Sequence, residues 1–275
     1  MTRIRILPLK IDKFRNTICD YYQRHGRKLP WRNTRDPYHI LVSEIMLQQT
    51  QVGRVIDKYG QFLSAFPDFA SLALAPLREV LSVWQGMGYN RRAIALKRIA
   101  GEVTTYHNSI LPSSEEILLR LPGIGKATAS SILAFAFNTP SVLIETNIRR
   151  VFIHFFFSDR ENIRDADIRP IVEQTLDRAN PREWYYALMD YGTMLRNTTR
   201  NPNRKSAHYK RQKSFEGSRR QLRGKILKEI LANPSITGAS LVKQAGQGPE
   251  TVREVLRQLQ KEGFITKKKK GFAVS

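Results

Sequence analysis

The sequence predicts an all-α body followed by a small second domain of three helices and a short hairpin, and three observations carry that expectation. From about residue 11 to 200, apolar residues recur at three- and four-residue spacings with no sustained period-two alternation, which is the pattern of helices and not of strands. Pro30, Pro67, Pro76, Pro112, Pro122, Pro140, Pro170 and Pro181 punctuate that run as helix stops, because proline lacks the N–H that a helix interior needs. Beyond residue 196 the composition changes, and 275 residues are enough for one large domain plus a small one.

Charge sets the class of partner. Against 24 acidic side chains the chain carries 46 Lys and Arg, a formal charge of +22. Such a surface is expected to meet a polyanion, nucleic acid first among them; a membrane surface or a merely solubilising basic coat are the alternatives. No stretch approaches the roughly 18 consecutive apolar residues of a membrane helix, and the amino end lacks the apolar run of a signal peptide, so a cytoplasmic, nucleoid-associated protein is expected. The single cysteine, Cys19, excludes an internal disulfide and any cluster or zinc site built from several thiolates; no cofactor or metal is expected. Within Ile18-Cys19-Asp20-Tyr21-Tyr22 the thiol reads as a small buried hydrophobe.

In chain order, the first chemically suggestive segment is Leu29-Pro30-Trp31-Arg32, followed by the helical run Ser43 to Val52. Glu44 stands in an otherwise apolar stretch of that run, where desolvation raises a carboxyl's proton affinity and fits it to general-acid work. Pairing with Arg32 or Arg54 is the structural alternative, and spacing alone does not choose.

Leu121-Pro122-Gly123-Ile124-Gly125-Lys126 lies between a helix over 114–120 and an apolar helix over 128–137, so its glycines occupy a tight hairpin. Glycine permits unusual dihedrals and close backbone approach, and the following helix offers free N–H groups with partial positive charge, which suits a DNA phosphate. Gly123, Gly125, Lys126 and Thr128 are the expected phosphate-binding residues. About twenty residues further on, Glu145 precedes Thr146 and Asn147 at the mouth of the next helix. There it is either a favourable charge at a helix start, with Thr146 and Asn147 as the capping residues, or a catalytic group.

Residues 196–223 are rich in cations and turn formers, as expected for a linker or a strap lying on a phosphate backbone. Helices follow at about 224–232, 238–245 and 249–262, and then Phe264-Ile265-Thr266, a lysine turn over 267–271 and Phe272-Ala273-Val274. That order describes a winged helix-turn-helix domain over 224–275, which binds either DNA or a partner protein.

These separated segments, together with Gly86-Met87-Gly88-Tyr89 and Ala187-Leu188-Met189-Asp190-Tyr191-Gly192, resemble the helix-hairpin-helix DNA glycosylases, and the adenine glycosylase branch in particular. The likeness covers about residues 28–195 and implies two helical lobes with a cleft, one from 28–138 and the other from 1–27 with 139–195. It implies a base flipped out of duplex DNA and cleaved from its sugar. Glu44 then aligns with the glutamate that protonates the leaving purine, and Gln48 with the residue that wedges into the vacated gap. Trp31, Arg32, Tyr89 and Asp190 fall with the substrate-binding positions. Glu145 falls where the family carries an aspartate that faces C1′ of the sugar; here the side chain is one methylene longer.

Two further departures bear on chemistry. Ala127 occupies the place of the Schiff-base lysine of bifunctional relatives, and Lys126 is turned about 100 degrees away by one helical step, so strand cleavage is not expected. The cysteine cluster that usually follows the Met-Asp-x-Gly segment is missing, and no iron–sulfur cluster is expected. The resemblance thus implies a monofunctional, monomeric enzyme on double-stranded DNA containing a mismatch or lesion. Adenine opposite guanine or 8-oxoguanine is its expected substrate; a uracil/thymine mismatch glycosylase and a non-catalytic DNA-binding protein are the alternatives.

Overall fold

The computed structural model describes residues 6–210 and 214–275; residues 1–5 of the expected second lobe and 211–213 of the expected strap lie outside the described residues. The chain runs through α1 (Pro8–His25), a 3₁₀ turn (Pro30–Arg32), α2 (Pro37–Leu47), α3 (Val52–Ala65), α4 (Phe69–Leu74), α5 (Leu77–Val83) and α6 (Arg91–Tyr106). It continues through α7 (Glu115–Arg120), α8 (Lys126–Phe137), α9 (Thr146–Phe156), α10 (Asp165–Thr175), α11 (Pro181–Thr198) and a second 3₁₀ turn (Pro202–Lys205). The carboxyl-terminal elements are α12 (Arg219–Ala232), α13 (Gly238–Ala245), α14 (Pro249–Lys261), β1 (Ile265–Lys268) and β2 (Gly271–Val274).

Local chemistry sets the boundaries. Pro8, Pro181 and Pro249 open α1, α11 and α14, where a missing N–H costs nothing. Ser218 caps α12 by accepting from the Gln221 N–H, which moves the start of that helix five residues ahead of the expected Gly224. The segment expected as a linker over 196–223 is therefore partly regular, holding the end of α11, the second 3₁₀ turn and the first turn of α12. Pro170, read as a stop, lies inside α10; burial of Ile168, Ile171 and Val172 on that helix offsets the lost hydrogen bond. Cys19 is exposed and not buried, because the buried positions of α1 are Phe14 and Ile18 and the next residue is rotated away by a helical step.

Two compact units emerge. The first comprises residues 1–44, 112–120 and 124–211, so α1, α7–α11 and the part of α2 up to Glu44 belong to it. Its core is aromatic around Phe14, whose ring lies 5.4 Å from Phe152, 5.0 Å from Phe155, 5.0 Å from Phe156 and 5.7 Å from Trp184, mostly edge-on. The α9 and α11 helices pack closely at Gly192, where an added Cβ would stand 2.4 Å from the Asn147 carbonyl oxygen. Only a residue without a side chain lets the two backbones approach so far.

The second unit comprises residues 45–111, 121–123 and 212–275. Its core includes Val55, Phe62, Leu72, Val80, Trp84, Leu96 and Ile99, with the Phe62 and Trp84 rings 5.8 Å apart and nearly perpendicular. The three carboxyl-terminal helices and the antiparallel β1–β2 hairpin, paired Ile265 with Val274 through Lys268 with Gly271, cluster within this unit. Polar anchors hold them there. Arg91 and Arg223 both clasp the Glu262 carboxylate, which lowers its pKa, and Arg78 donates to the Leu231 carbonyl at 3.1 Å.

Candidate active site

The first unit gathers both candidate catalytic carboxylates. Glu44 projects from α2 between Ser43 and Ile45, both buried, and the Ser131 hydroxyl of α8 donates to it. Burial is the largest influence on this group and pushes its pKa up to about 7; the negative charge of Glu145 raises it further, and the Ser131 hydrogen bond opposes the rise. The two acids are therefore close enough to sense each other, and Glu44 is poised to hold a proton near neutral pH. Arg32, the partner that spacing allowed for Glu44, is engaged elsewhere.

Glu145 is itself the N-cap of α9, in place of Thr146 or Asn147. Its Oε1 accepts from the Asn147 N–H at 2.7 Å and the Ile148 N–H at 2.9 Å, and its Oε2 accepts, among the described residues, a long 3.4 Å contact from the Asn147 side chain. Burial raises its pKa, while these two backbone donors and the charges of Arg150 and Arg149 hold it back. One oxygen is thus tied down by the helix terminus, and the other is less committed.

Around Glu145 a second set of residues fixes α9. Arg150, buried, donates through Nη1 to Asn147 Oδ1 at 2.6 Å and to the Gly192 carbonyl at 2.7 Å, and through Nε to Asn201 Oδ1 at 3.0 Å. Asn203 reaches the Thr146 carbonyl at 2.8 Å. The loop after α11 is therefore stitched by the amides of Asn201 and Asn203 to the helix that presents Glu145. With one cysteine in the chain, at position 19 on α1, these residues do not fit an iron–sulfur cluster. Among the described residues no group of three or more His, Cys, Asp or Glu side chains is placed to hold a metal ion.

Asp190 is 2% exposed and its carboxylate is saturated: Arg32 grips both oxygens at 2.8 Å, and Arg27 adds its backbone N–H at 2.8 Å and its Nε at 2.6 Å. The Arg32 guanidinium in turn lies 4.4 Å over the Tyr186 ring, which stacks on Phe135 at 4.5 Å. Trp31 is buried in the first 3₁₀ turn. Asp190 and Trp31 thus stand as framework around Arg32.

The hairpin expected to bind phosphate follows α7. Gly123 adopts φ +81°, a left-handed conformation that favours glycine, and Gly125 is the N-cap of α8. Gly123, Gly125 and Lys126 are exposed and Thr128 is half-buried on the first turn of α8, so the start of that helix lies at the surface. Ala127 is exposed beside Lys126.

In the second unit, Gln48 follows the end of α2 and donates to the Gly123 carbonyl at 3.2 Å. Tyr89 lies in the turn before α6 at φ +46°, following Gly86 at +87° and Gly88 at +68°. The Arg220 guanidinium covers its ring and pairs with its hydroxyl. Arg92, which sequence reasoning passed over, holds both segments: it donates to the carbonyls of Ile45, Met46 and Gln48 at 3.0, 2.8 and 2.6 Å and to those of Met87 and Gly88 at 3.2 and 3.0 Å. Ser131 was also missed, although a buried serine in the apolar run of α8 carries a signal of its own, since a hydroxyl without water needs a partner.

Comparison with known proteins follows the same lines. Residues 42–174 match the HhH-GPD superfamily of base excision DNA repair proteins, and residues 219–266 match the winged helix-turn-helix DNA-binding family. An adenine DNA glycosylase of Buchnera aphidicola is 38% identical over 187 residues, 66% of this chain; the chain spans about half that relative's length, 52%. A thymine/uracil-DNA glycosylase of Pyrobaculum aerophilum is 36% identical over 175 residues, covering 62% of this chain and 74% of that protein. Among solved structures, that of a thermostable thymine-DNA glycosylase superposes with a TM-score of 0.63 at 27% identity, over 72% of this chain and 92% of the other. Extent and agreement together place the chain: it belongs to the HhH-GPD superfamily of base excision DNA repair proteins.

Proposed function

We propose that this protein is a monofunctional DNA glycosylase that flips a mispaired or damaged base out of duplex DNA and hydrolyses its N-glycosidic bond. The observation that carries the reading is Glu44, a carboxyl held near a pKa of about 7 by burial, facing Ser131 and a second acid, Glu145. Glu44 protonates a ring nitrogen of the extruded base, and the C1′–N bond then breaks with its electron pair leaving on the base. The less committed oxygen of Glu145 faces the cationic sugar until water adds at C1′ and releases a proton. Asp190 acts through Arg32 by holding that guanidinium over the Tyr186 ring, at the edge of the base site; Trp31 backs that turn, and Gln48 and Tyr89 support the distorted duplex. Gly123, Gly125, Lys126 and Thr128 take a backbone phosphate.

Adenine opposite guanine or 8-oxoguanine is the first substrate, by the likeness to adenine glycosylases over the Ser43 to Val52 run. Thymine or uracil in a mismatch is the second reading, favoured by the thymine/uracil-DNA glycosylase relative and the thymine-DNA glycosylase structure. Base release from a panel of A:G, A:8-oxoguanine, T:G and U:G duplexes separates the two. Glu44→Gln and Glu145→Gln are both expected to abolish release while leaving duplex binding; unchanged rates for both overturn the site assignment and favour a DNA-binding protein without catalysis. Borohydride trapping of a covalent enzyme–DNA adduct is expected to fail, since Ala127 offers no amine. A monomer, working with nucleoid DNA in the cytoplasm, completes the proposal; no described helix is long and apolar enough to cross a membrane.

A further inference from the structure

A cavity of about 350 Å³ in the first unit is lined by Arg32, Arg35, Asn138, Arg182 and Glu183 among others, and by neither Glu44 nor Glu145. Two of the arginines that line it are short of acceptors. Arg182 is 6% exposed, yet its Nε and Nη2 meet no hydrogen-bond acceptor, and the buried Nε of Arg32 meets none either. A buried guanidinium without acceptors is costly, because it has given up water and received nothing in exchange.

The neighbours explain why the protein itself does not satisfy these groups. Arg32 spends its two terminal nitrogens on Asp190. Asn138, in a left-handed conformation at the end of α8, gives its Nδ2 to the Ala179 carbonyl and accepts the Arg182 backbone N–H at its Oδ1, so its amide is used. Glu183, which also lines the cavity, accepts from the Tyr22 hydroxyl and reaches Arg182 only as a nearby negative charge. Arg35 adds an exposed positive charge whose repulsion bears on Arg182. Two lining guanidiniums that between them leave three buried nitrogens without an acceptor, and a third, exposed guanidinium, describe a receptor for an anion with several acceptor oxygens.

We propose that this cavity, walled by Arg32, Arg35 and Arg182, binds a phosphate group, separately from the glycine hairpin and from the two catalytic carboxylates. The phosphate comes either from a DNA backbone or from a free phosphate-bearing molecule, and one pair of measurements distinguishes them. Thermal unfolding of the full chain is followed with inorganic phosphate against chloride at matched ionic strength, and duplex affinity is followed against salt, for wild type, Arg35→Gln and Arg182→Gln. A saturable, phosphate-specific rise in melting temperature that weakens roughly tenfold or more in the variants, with an unchanged salt slope, assigns the site to a free phosphate. A salt slope that falls by about 0.9 in the variants, without a free-phosphate response, assigns it to the DNA backbone. Arg35→Gln alters an exposed side chain and reads out even if Arg182→Gln does not fold. Identical phosphate and chloride responses in all three proteins, together with a common salt slope, overturn the proposal; neither measurement uses base release, so that outcome leaves the glycosylase reading intact.

Discussion

Glu44 illustrates how one side chain's surroundings set its chemistry. On the surface it would be ionised at neutral pH; between buried neighbours of α2, with Ser131 as donor and Glu145 and Tyr186 nearby, it holds its proton up to about pH 7. Base release is therefore expected to fall as pH rises through about 7, in single-turnover assays where chemistry limits the rate. The stability sign follows from the same shift. The folded carboxyl binds its proton more tightly than the unfolded one, so stability declines as pH climbs from about 4.5, its ordinary value, to about 7. Glu44→Gln removes that slope, and denaturant titrations should show the variant gaining on wild type across this window. A wild-type and variant difference that stays constant with pH would refute the assignment. The sequence already marked Glu44 as an acid in an apolar run. It left open a pairing with Arg32, because which arginine meets which carboxylate depends on where α11 delivers Asp190.

At the scale of elements, the α9 helix is held at its start and along its flank by different means. Glu145 caps it, so Glu145→Ala is expected to cost about 1 kcal/mol in chemical denaturation, beyond any loss of activity. Gly192 lets α11 close on it, and Gly192→Ala should destabilise by about 1–3 kcal/mol, since the new methyl would press on the Asn147 carbonyl. Because Asn147 donates to Glu145, that variant is also expected to slow base release in the same preparation; a stable Gly192→Ala protein of normal rate would contradict the contact. The helices themselves were legible from apolar spacing and proline stops. Pro170 was misread since its cost is local while the burial of Ile168, Ile171 and Val172 is tertiary. Ser218 was not recognised as a cap because the run of cations around it resembles a linker.

For the whole molecule, charge dominates. A net +22 predicts that duplex affinity falls linearly with the logarithm of salt concentration, with a slope of about −0.9 per phosphate neutralised. Fluorescence anisotropy with an undamaged duplex measures it, and a flat response would rule out the basic surface as a DNA footprint. Within the second unit the winged helix meets residues 45–111 through the Glu262 clasp and Arg78. No local pattern encodes such an association, because it depends on side chains more than a hundred residues apart in sequence.

The sequence by itself determined the helical class, the glycine hairpin and the hairpin-ended carboxyl-terminal module, since each rests on residue type and spacing within one or two turns of chain; the two acids it named as a catalytic pair only through the family resemblance. Tertiary structure alone decided that Ser131 meets Glu44, that Asp190 is spent on Arg27 and Arg32, and that Arg92 ties the end of α2 to the Gly86–Tyr89 turn. Those are pairings of buried polar groups, and a buried group takes whatever partner the packed chain brings within reach once water is gone.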